Sequence, residues 1–207
     1  MSPIADLCAR APVIPVLTIE DASDARPLAE ALVAGGLPVL EVTLRTEAAL
    51  DAIAAMAEVP GAIVGAGTLL RAEDPVAAQA AGARFGVSPG ATEALLTACT
   101  RTALPLLPGA ATASEVMRLM EYGFETAKFF PAESSGGVAA LRALAAPLKG
   151  VRFCPTGGIT AATAPDYLAL DCVPCVGASW VAPADMVAAR DWAGIEERAR
   201  AAAALAR

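Results

Sequence analysis

Eight short apolar runs recur along the chain and limit what it can fold into: VIPVLTI (13–19), PVLEVTL (38–44), AIVGAG (62–67), RFGVS (84–88), LPLL (104–107), TAKFF (126–130), VRFCPT (151–156) and VPCVGA (173–178). They are spaced by about 21 to 25 residues, room for one strand, one helix and two loops. The stretches between them, such as Asp24 to Ala34 and Ser114 to Tyr122, are rich in alanine and leucine with charges at helical spacing. Gly35, Gly82, Gly123 and Gly150 stand where a helix ends in a left-handed residue before the next strand. Thr112-Ala113-Ser114-Glu115 reads as a capping box opening one helix.

Near-uniform repetition without a topological switch point favours a parallel (β/α)8 TIM barrel over an open doubly wound sheet. The 207 residues sit at the small end of that fold's range, which begins near about 200, so loops must be short. The expectation is a single α/β domain over 1–207, with an extra N-terminal helix within 1–11 covering the barrel floor and a last helix over 184–207.

Composition then removes chemistries. The chain is 56% hydrophobic with net charge -7, a soluble domain with no basic stripe for nucleic acid or an anionic membrane surface. Its longest charge-free run is 13 residues, as in Thr102 to Ser114, too short for a span. The start lacks the basic and apolar stretches of a signal peptide, so a cytoplasmic setting is expected, with the five cysteines reduced. Cys172 and Cys175 form one C-x-x-C, but no second pair completes a metal or redox site, and core thiols are the expected reading. There is no histidine, so Ser-His-Asp triads, Cys-His pairs and histidine acid/base catalysis are excluded. Proton chemistry falls to carboxylates, a lysine, a thiol, a tyrosine or water; neither a metal nor a cofactor is expected.

In such a barrel the chemistry sits at the carboxyl ends of the strands. Lys128, one of only two lysines, lies inside an apolar strand, sharing a face with Phe130 while Ala127 and Phe129 share the other. Burying an ammonium ion is costly and favours the neutral amine, a nucleophile able to form a Schiff base with a ketone. Alternation also places Glu41, Thr43 and Arg45 on one face of their strand. Glu41 supplies a carboxylate for proton transfer beside the lysine, and Arg45 a bidentate partner for a substrate carboxylate. Thr156-Gly157-Gly158 and Gly177-Ala178-Ser179 close the last two units, where barrels commonly hold phosphate on backbone N–H groups. Other readings stay open: a buried Glu41–Lys128 ion pair of structural value only, a solvated Arg45, and glycines serving tight turns. Together the residues suit a substrate with phosphate at one end and a keto acid at the other.

Glu41-Val42-Thr43-Leu44-Arg45-Thr46, Gly65-Ala66-Gly67-Thr68, Ser88-Pro89-Gly90, Lys128-Phe129-Phe130-Pro131-Ala132-Glu133 and Phe153-Cys154-Pro155-Thr156-Gly157-Gly158-Ile159 stand in the order of the motifs of 2-keto-3-deoxy-6-phosphogluconate (KDPG) aldolase. From about Pro12 to Pro183 the sequence resembles that family, which includes 4-hydroxy-2-oxoglutarate (KHG) aldolases. The resemblance implies a class I, metal-independent aldolase, usually a homotrimer, that cleaves KDPG to pyruvate and glyceraldehyde 3-phosphate in the Entner-Doudoroff pathway. It further implies Lys128 as the Schiff-base residue, Glu41 as general acid/base, and Arg45 and Thr68 on the substrate carboxylate. Pro89 and Phe130 would line the pyruvate pocket, Thr156 would stand beside the hydroxyls, and Gly157, Gly158 and the Gly177–Ser179 loop would hold phosphate. The family usually has Gly-Gly-Ser-Trp where this chain has Gly177-Ala178-Ser179-Trp180. If that position needed a left-handed backbone, alanine would weaken phosphate binding and favour KHG. An aldolase for the galactonate epimer and a barrel that binds a phosphometabolite without turnover are the competing expectations.

Overall fold

The computed structural model describes residues 2–206. Its elements are α1 (Pro3–Cys8), β1 (Val13–Leu17), α2 (Ala25–Ala34), β2 (Val39–Thr43), α3 (Ala49–Ala57), β3 (Ile63–Gly67), α4 (Asp74–Ala80), β4 (Phe85–Val87), α5 (Glu93–Thr102), β5 (Leu106–Leu107), β6 (Gly109–Ala110), α6 (Ala113–Glu121), β7 (Thr126–Phe129), α7 (Gly137–Ala145), β8 (Arg152–Pro155), α8 (Ala164–Leu168), β9 (Val176–Ala178), α9 (Ala184–Ala188) and α10 (Trp192–Ala203). Each of the eight apolar runs contains a strand. The fifth run ends at Leu107, and Pro108, which has no N–H to give a ladder, separates its strand from a further short one, β6. On one side of the proline β5 pairs with β4, and on the other β6 pairs with β7, the Pro108 carbonyl accepting from Lys128 N–H at 2.8 Å.

All strand pairs are parallel, in a curled six-stranded sheet of order β5-β4-β3-β2-β1-β9 and a three-stranded sheet of order β6-β7-β8. A parallel bridge between Thr156 and Gly177 joins the end of the second sheet to β9 of the first. Two apolar clusters follow from strand alternation. Leu40, Val42, Ala127 and Phe129 face the helices in the larger one. Ile14, Val39, Phe85, Val87, Leu107 and Cys154 face inward, joined by Ile4 and Cys8 of α1. The expected helix within 1–11 is thus present as α1, packed under the inward residues; Met1 lies outside the described residues. Burying both faces of β2 leaves all five of its residues buried, Glu41 and Thr43 included.

Gly82, Gly123 and Gly150 take the expected left-handed backbone, with φ of 99°, 81° and 91°. Gly35 does not: its φ is -75°, and Gly36 (φ 91°) makes the turn. Gly35 is needed for a different reason, since a Cβ there would overlap the Ala199 methyl and lie 2.7 Å from the Glu196 carbonyl of α10. The stretch expected as one helix over 184–207 is two, α9 and α10, separated by Arg190 at φ 55°. Asp191 caps the second by accepting from Gly194 N–H at 3.0 Å, which restarts the helix in a new direction. Arg207 lies outside the described residues.

The capping box on α6 forms as expected: Glu115 accepts from Ala111 and Thr112 N–H at 2.8 and 2.9 Å, and Thr112 Oγ1 accepts from Glu115 N–H at 3.4 Å. The bond from Ala111 N–H holds the Glu115 carboxyl below the usual carboxylate range. Its stabilising contribution is therefore complete above the unfolded-state value and lost as pH falls through the lowered one. Replacing Thr112 with alanine is expected to cost about 1 kcal/mol, read as a lower urea midpoint with an unchanged denaturant slope.

Candidate active site

A cavity of about 540 Å³ opens at the carboxyl ends of the strands, and all twelve residues singled out above line it: Glu41, Arg45, Thr68, Pro89, Lys128, Phe130, Thr156, Gly157, Gly158, Gly177, Ala178 and Ser179. At its base Lys128 of β7 and Glu41 of β2 meet across the interior, Nζ donating to Oε1 at 3.0 Å. Both side chains are nearly inaccessible, 7% and 3% exposed. Lys128 Nζ also stands 5.3 Å from the centroid of the Phe130 ring. Glu41 is the only carboxylate among the lining residues, and Lys128 and Arg45 are their only cations. The pair brings the only amine and the only carboxylate of the cavity lining into direct contact.

Glycine makes room for this pair. Glu41 stands opposite Gly65 in the ladder and leans along the sheet over Gly67, where a Cβ would overlap the carboxylate. Gly67→Ala is expected to push Glu41 away from Lys128 and lower kcat on the order of 100-fold through misplacement alone, with little change in KM; steady-state kinetics of the purified variant measures both.

Arg45 is held from below. Its Nε donates to Thr43 Oγ1 at 3.2 Å and its Nη2 to Thr18 Oγ1 at 2.8 Å. Thr43 is itself tied to the Leu17 carbonyl at 3.0 Å. The guanidinium is thus fixed at the mouth with donors left for a carboxylate. Thr68 beside it has φ 61°, a strained backbone for a β-branched residue of the kind that collects at ligand sites.

Opposite, Gly157 (φ 104°) and Gly158 (φ 80°) turn the chain sharply after β8. A Cβ on Gly157 would lie 3.2 Å from Pro131 Cα and 3.3 Å from the Phe130 ring. Gly177 is close-packed as well, since a Cβ there would overlap Thr156 Oγ1. Gly157 and Gly158 both line the cavity without a side chain, which leaves their backbone open to it. Ala178 belongs to β9, and only Thr68, Ala103 and Arg190 take positive φ among the described non-glycine residues. Its position has no left-handed requirement, so alanine there brings no strain and gives no reason for weaker phosphate binding. Ala178→Gly is expected to cost about 0.5–1 kcal/mol of stability and leave KM for a phosphorylated substrate unchanged; urea unfolding beside steady-state kinetics tests this.

Sequence reasoning missed Val16, Ile159, Thr160 and Trp180, which also line the cavity, and the Thr18–Thr43 support of Arg45. Periodicity had put Thr43 on the right face, but Thr18 enters through the β1–β2 register of Val16 opposite Glu41, which no motif encodes. Cys172 and Cys175 do not act together. Cys175 Sγ donates to Cys154 Sγ at 3.6 Å, and bonding to Cys154 and Cys8, followed by burial, pushes its thiol well above the ordinary value. All five cysteines are free thiols.

The family model for KDPG and KHG aldolase matches residues 4–198. The KHG/KDPG aldolase of Escherichia coli (strain K12) is 55% identical over 192 residues, covering 92% of this chain and 90% of its own. The structure of the Zymomonas mobilis ZM4 2-keto-3-deoxy-6-phosphogluconate aldolase with 3-phosphoglycerate superposes with a TM-score of 0.96 at 52% identity, covering 99% of this chain and 97% of that one. That of the Legionella pneumophila KDPG aldolase, with pyruvate captured as a covalent carbinolamine, gives 0.95 at 42% identity, covering 98% and 99%.

Proposed function

The chain belongs to the KDPG and KHG aldolase family, and from that premise we propose that it is a class I aldolase cleaving KDPG to pyruvate and glyceraldehyde 3-phosphate, and KHG to pyruvate and glyoxylate. The observation that carries this reading is the buried Lys128–Glu41 pair at 3.0 Å on the floor of a cavity with Arg45 on one side and the Gly157–Gly158 turn on the other.

In this mechanism the neutral Lys128 amine adds to the C2 ketone, and loss of water from the carbinolamine gives an iminium. Arg45 and Thr68 hold the carboxylate beside it, with Pro89 and Phe130 along the pyruvyl carbons. Glu41 takes the C4 hydroxyl proton through a water. The C3–C4 bond then breaks, its electrons passing into the iminium to give an enamine, and the aldehyde leaves. Glu41 returns a proton to C3, and hydrolysis of the new iminium frees pyruvate and the amine. The phosphate rests on the N–H groups of Gly157 and Gly158 and on the Gly177–Ser179 loop, with Thr156 beside the hydroxyls. Low-dielectric surroundings strengthen the Lys128–Glu41 coupling at each proton transfer.

The same proposal includes the full (β/α)8 barrel. Pro108 links the two sheets at one junction and the Thr156–Gly177 bridge at the other, and Glu41 and Lys128 reach each other from opposite sheets. A homotrimer is proposed too. Leu70, Val76, Met117, Met120 and Tyr122 are exposed on or beside α4 and α6 and supply apolar area for self-association. No helix of the described residues is long and apolar enough to cross a membrane. A cytoplasmic setting suits the free thiols.

Rates of pyruvate release from KDPG, its galactonate epimer and KHG test the reading. The expected order places KDPG first; preference for the epimer would move the chain to the galactonate enzymes, and no release from any of the three would leave a binding protein.

A further inference from the structure

Tyr167 and Glu133 stand outside the catalytic machinery yet make a short, well-formed hydrogen bond beside it. Tyr167 lies on α8 with 0% of its surface exposed, and its hydroxyl donates to Glu133 Oε1 at 2.6 Å. Burial first, then the bond and charge of Glu133, push the phenol up, so the hydroxyl stays a donor throughout the working pH range. Glu133 is at the surface, and none of the ion pairs of the described residues includes it. The phenol is therefore the side-chain partner that holds this carboxylate.

What the carboxylate sits on gives the contact its meaning. The chain after β7 runs along the glycine turn: Ala132 N–H donates to the Thr156 carbonyl at 2.8 Å and Glu133 N–H to the Gly157 carbonyl at 3.0 Å. The Glu133 side chain covers Gly158, where a Cβ would lie 2.8 Å from Glu133 Cβ and 2.9 Å from Cγ. Gly137 closes over the pair, its Cβ position being 3.6 Å from the Tyr167 hydroxyl. The turn is thus gripped between the segment leaving β7 and α8, and the phenol–carboxylate bond ties those two together. The negative charge beside an anion-binding turn would oppose a phosphate if it swung inward. Fixed against Tyr167, it covers the turn without entering it.

We propose that the Tyr167–Glu133 bond is a specificity device: the two act as positioning residues that keep the Gly157–Gly158 turn shaped for a terminal phosphate and keep the Glu133 charge out of that subsite. The proposal rests on the phosphate assignment made above. It separates the two ends of the substrate, since neither residue touches Lys128, Glu41 or Arg45, and so predicts an effect on phosphorylated substrates alone.

The test compares KDPG with KHG, which has no phosphate, in Tyr167→Phe, Glu133→Ala and Glu133→Gln. Tyr167→Phe keeps the ring in its buried site, and Glu133 is on the surface, so at least the Glu133 variants retain the fold; thermal unfolding confirms it. The expected result is a rise in KM for KDPG of about tenfold in Tyr167→Phe and Glu133→Ala, the loss of one charge-assisted hydrogen bond, with kcat and the KM for KHG unchanged. Glu133→Gln keeps an acceptor for the phenol and removes the charge, and its KM for KDPG stays within about twofold of the starting protein. Equal changes for both substrates, or none in folded variants, would overturn the proposal and leave the bond a fold element. If the unaltered protein showed the same KM for both substrates and no competition by inorganic phosphate, the phosphate assignment would fall first, and this inference with it.

Discussion

Replacing Lys128 with arginine is expected to abolish KDPG cleavage, with a loss on the order of 10⁴-fold or more, while the protein remains folded. A guanidinium retains the charge facing Glu41 but does not add to a ketone, so the variant separates the covalent role of Lys128 from its ion-pair role. Lys128→Ala is expected to be equally inactive and also less stable by about 3–5 kcal/mol, because it leaves Glu41, 3% exposed, without its buried partner. Pyruvate release beside urea unfolding distinguishes the two. Substantial turnover by either variant would contradict a Schiff-base route.

The second large effect belongs to Glu41. Glu41→Gln keeps an acceptor for Lys128 Nζ, now 3.0 Å from Oε1, but removes the only carboxylate lining the cavity. The expected loss in kcat is about 10²–10⁴-fold, the usual range for a positioned acid/base, with KM little changed. The same residue returns the proton to C3, so exchange of pyruvate methyl protons with deuterated water, followed by NMR, should fall in parallel with cleavage. Normal exchange with impaired cleavage would assign C3 protonation to another group and restrict Glu41 to the C4 hydroxyl.

Local rules account for much of what could be read before any coordinates. Strand alternation alone put Lys128 on the face opposite Phe129, and Glu41, Thr43 and Arg45 on one face, because a parallel strand buried on both sides leaves a side chain no third direction. The Thr112–Glu115 box was legible for the same local reason. The motifs carried over from the resemblance gave roles to Thr68, Pro89 and Phe130, the last of which alternation had already placed on the face of Lys128. What escaped depends on packing between distant segments. Gly35 read as a helix stop, but it is glycine because α10 passes against it. Thr18 has no feature of its own; only the pairing of β1 with β2 brings it to Arg45. Pro108 ends the strand of the fifth apolar run, and the short strand beyond it, Gly109–Ala110, has no apolar run to announce it. The break over Arg190 was hidden because its left-handed backbone is set by the new cap at Asp191 rather than by a glycine. The Ala178 departure looked consequential from sequence because backbone conformation at that position was unknown; as part of β9 it is benign.

The central claim is a covalent bond between a keto acid and one particular amine, and the chain provides its own control, since of its two lysines Lys149 is exposed and Lys128 buried. The most direct measurement is to incubate the protein with pyruvate, reduce with borohydride and map the adduct by mass spectrometry of proteolytic peptides. The account predicts stoichiometric modification of Lys128 and none of Lys149, dependent on both pyruvate and borohydride. An unmodified Lys128, or equal labelling of the two lysines, would contradict it.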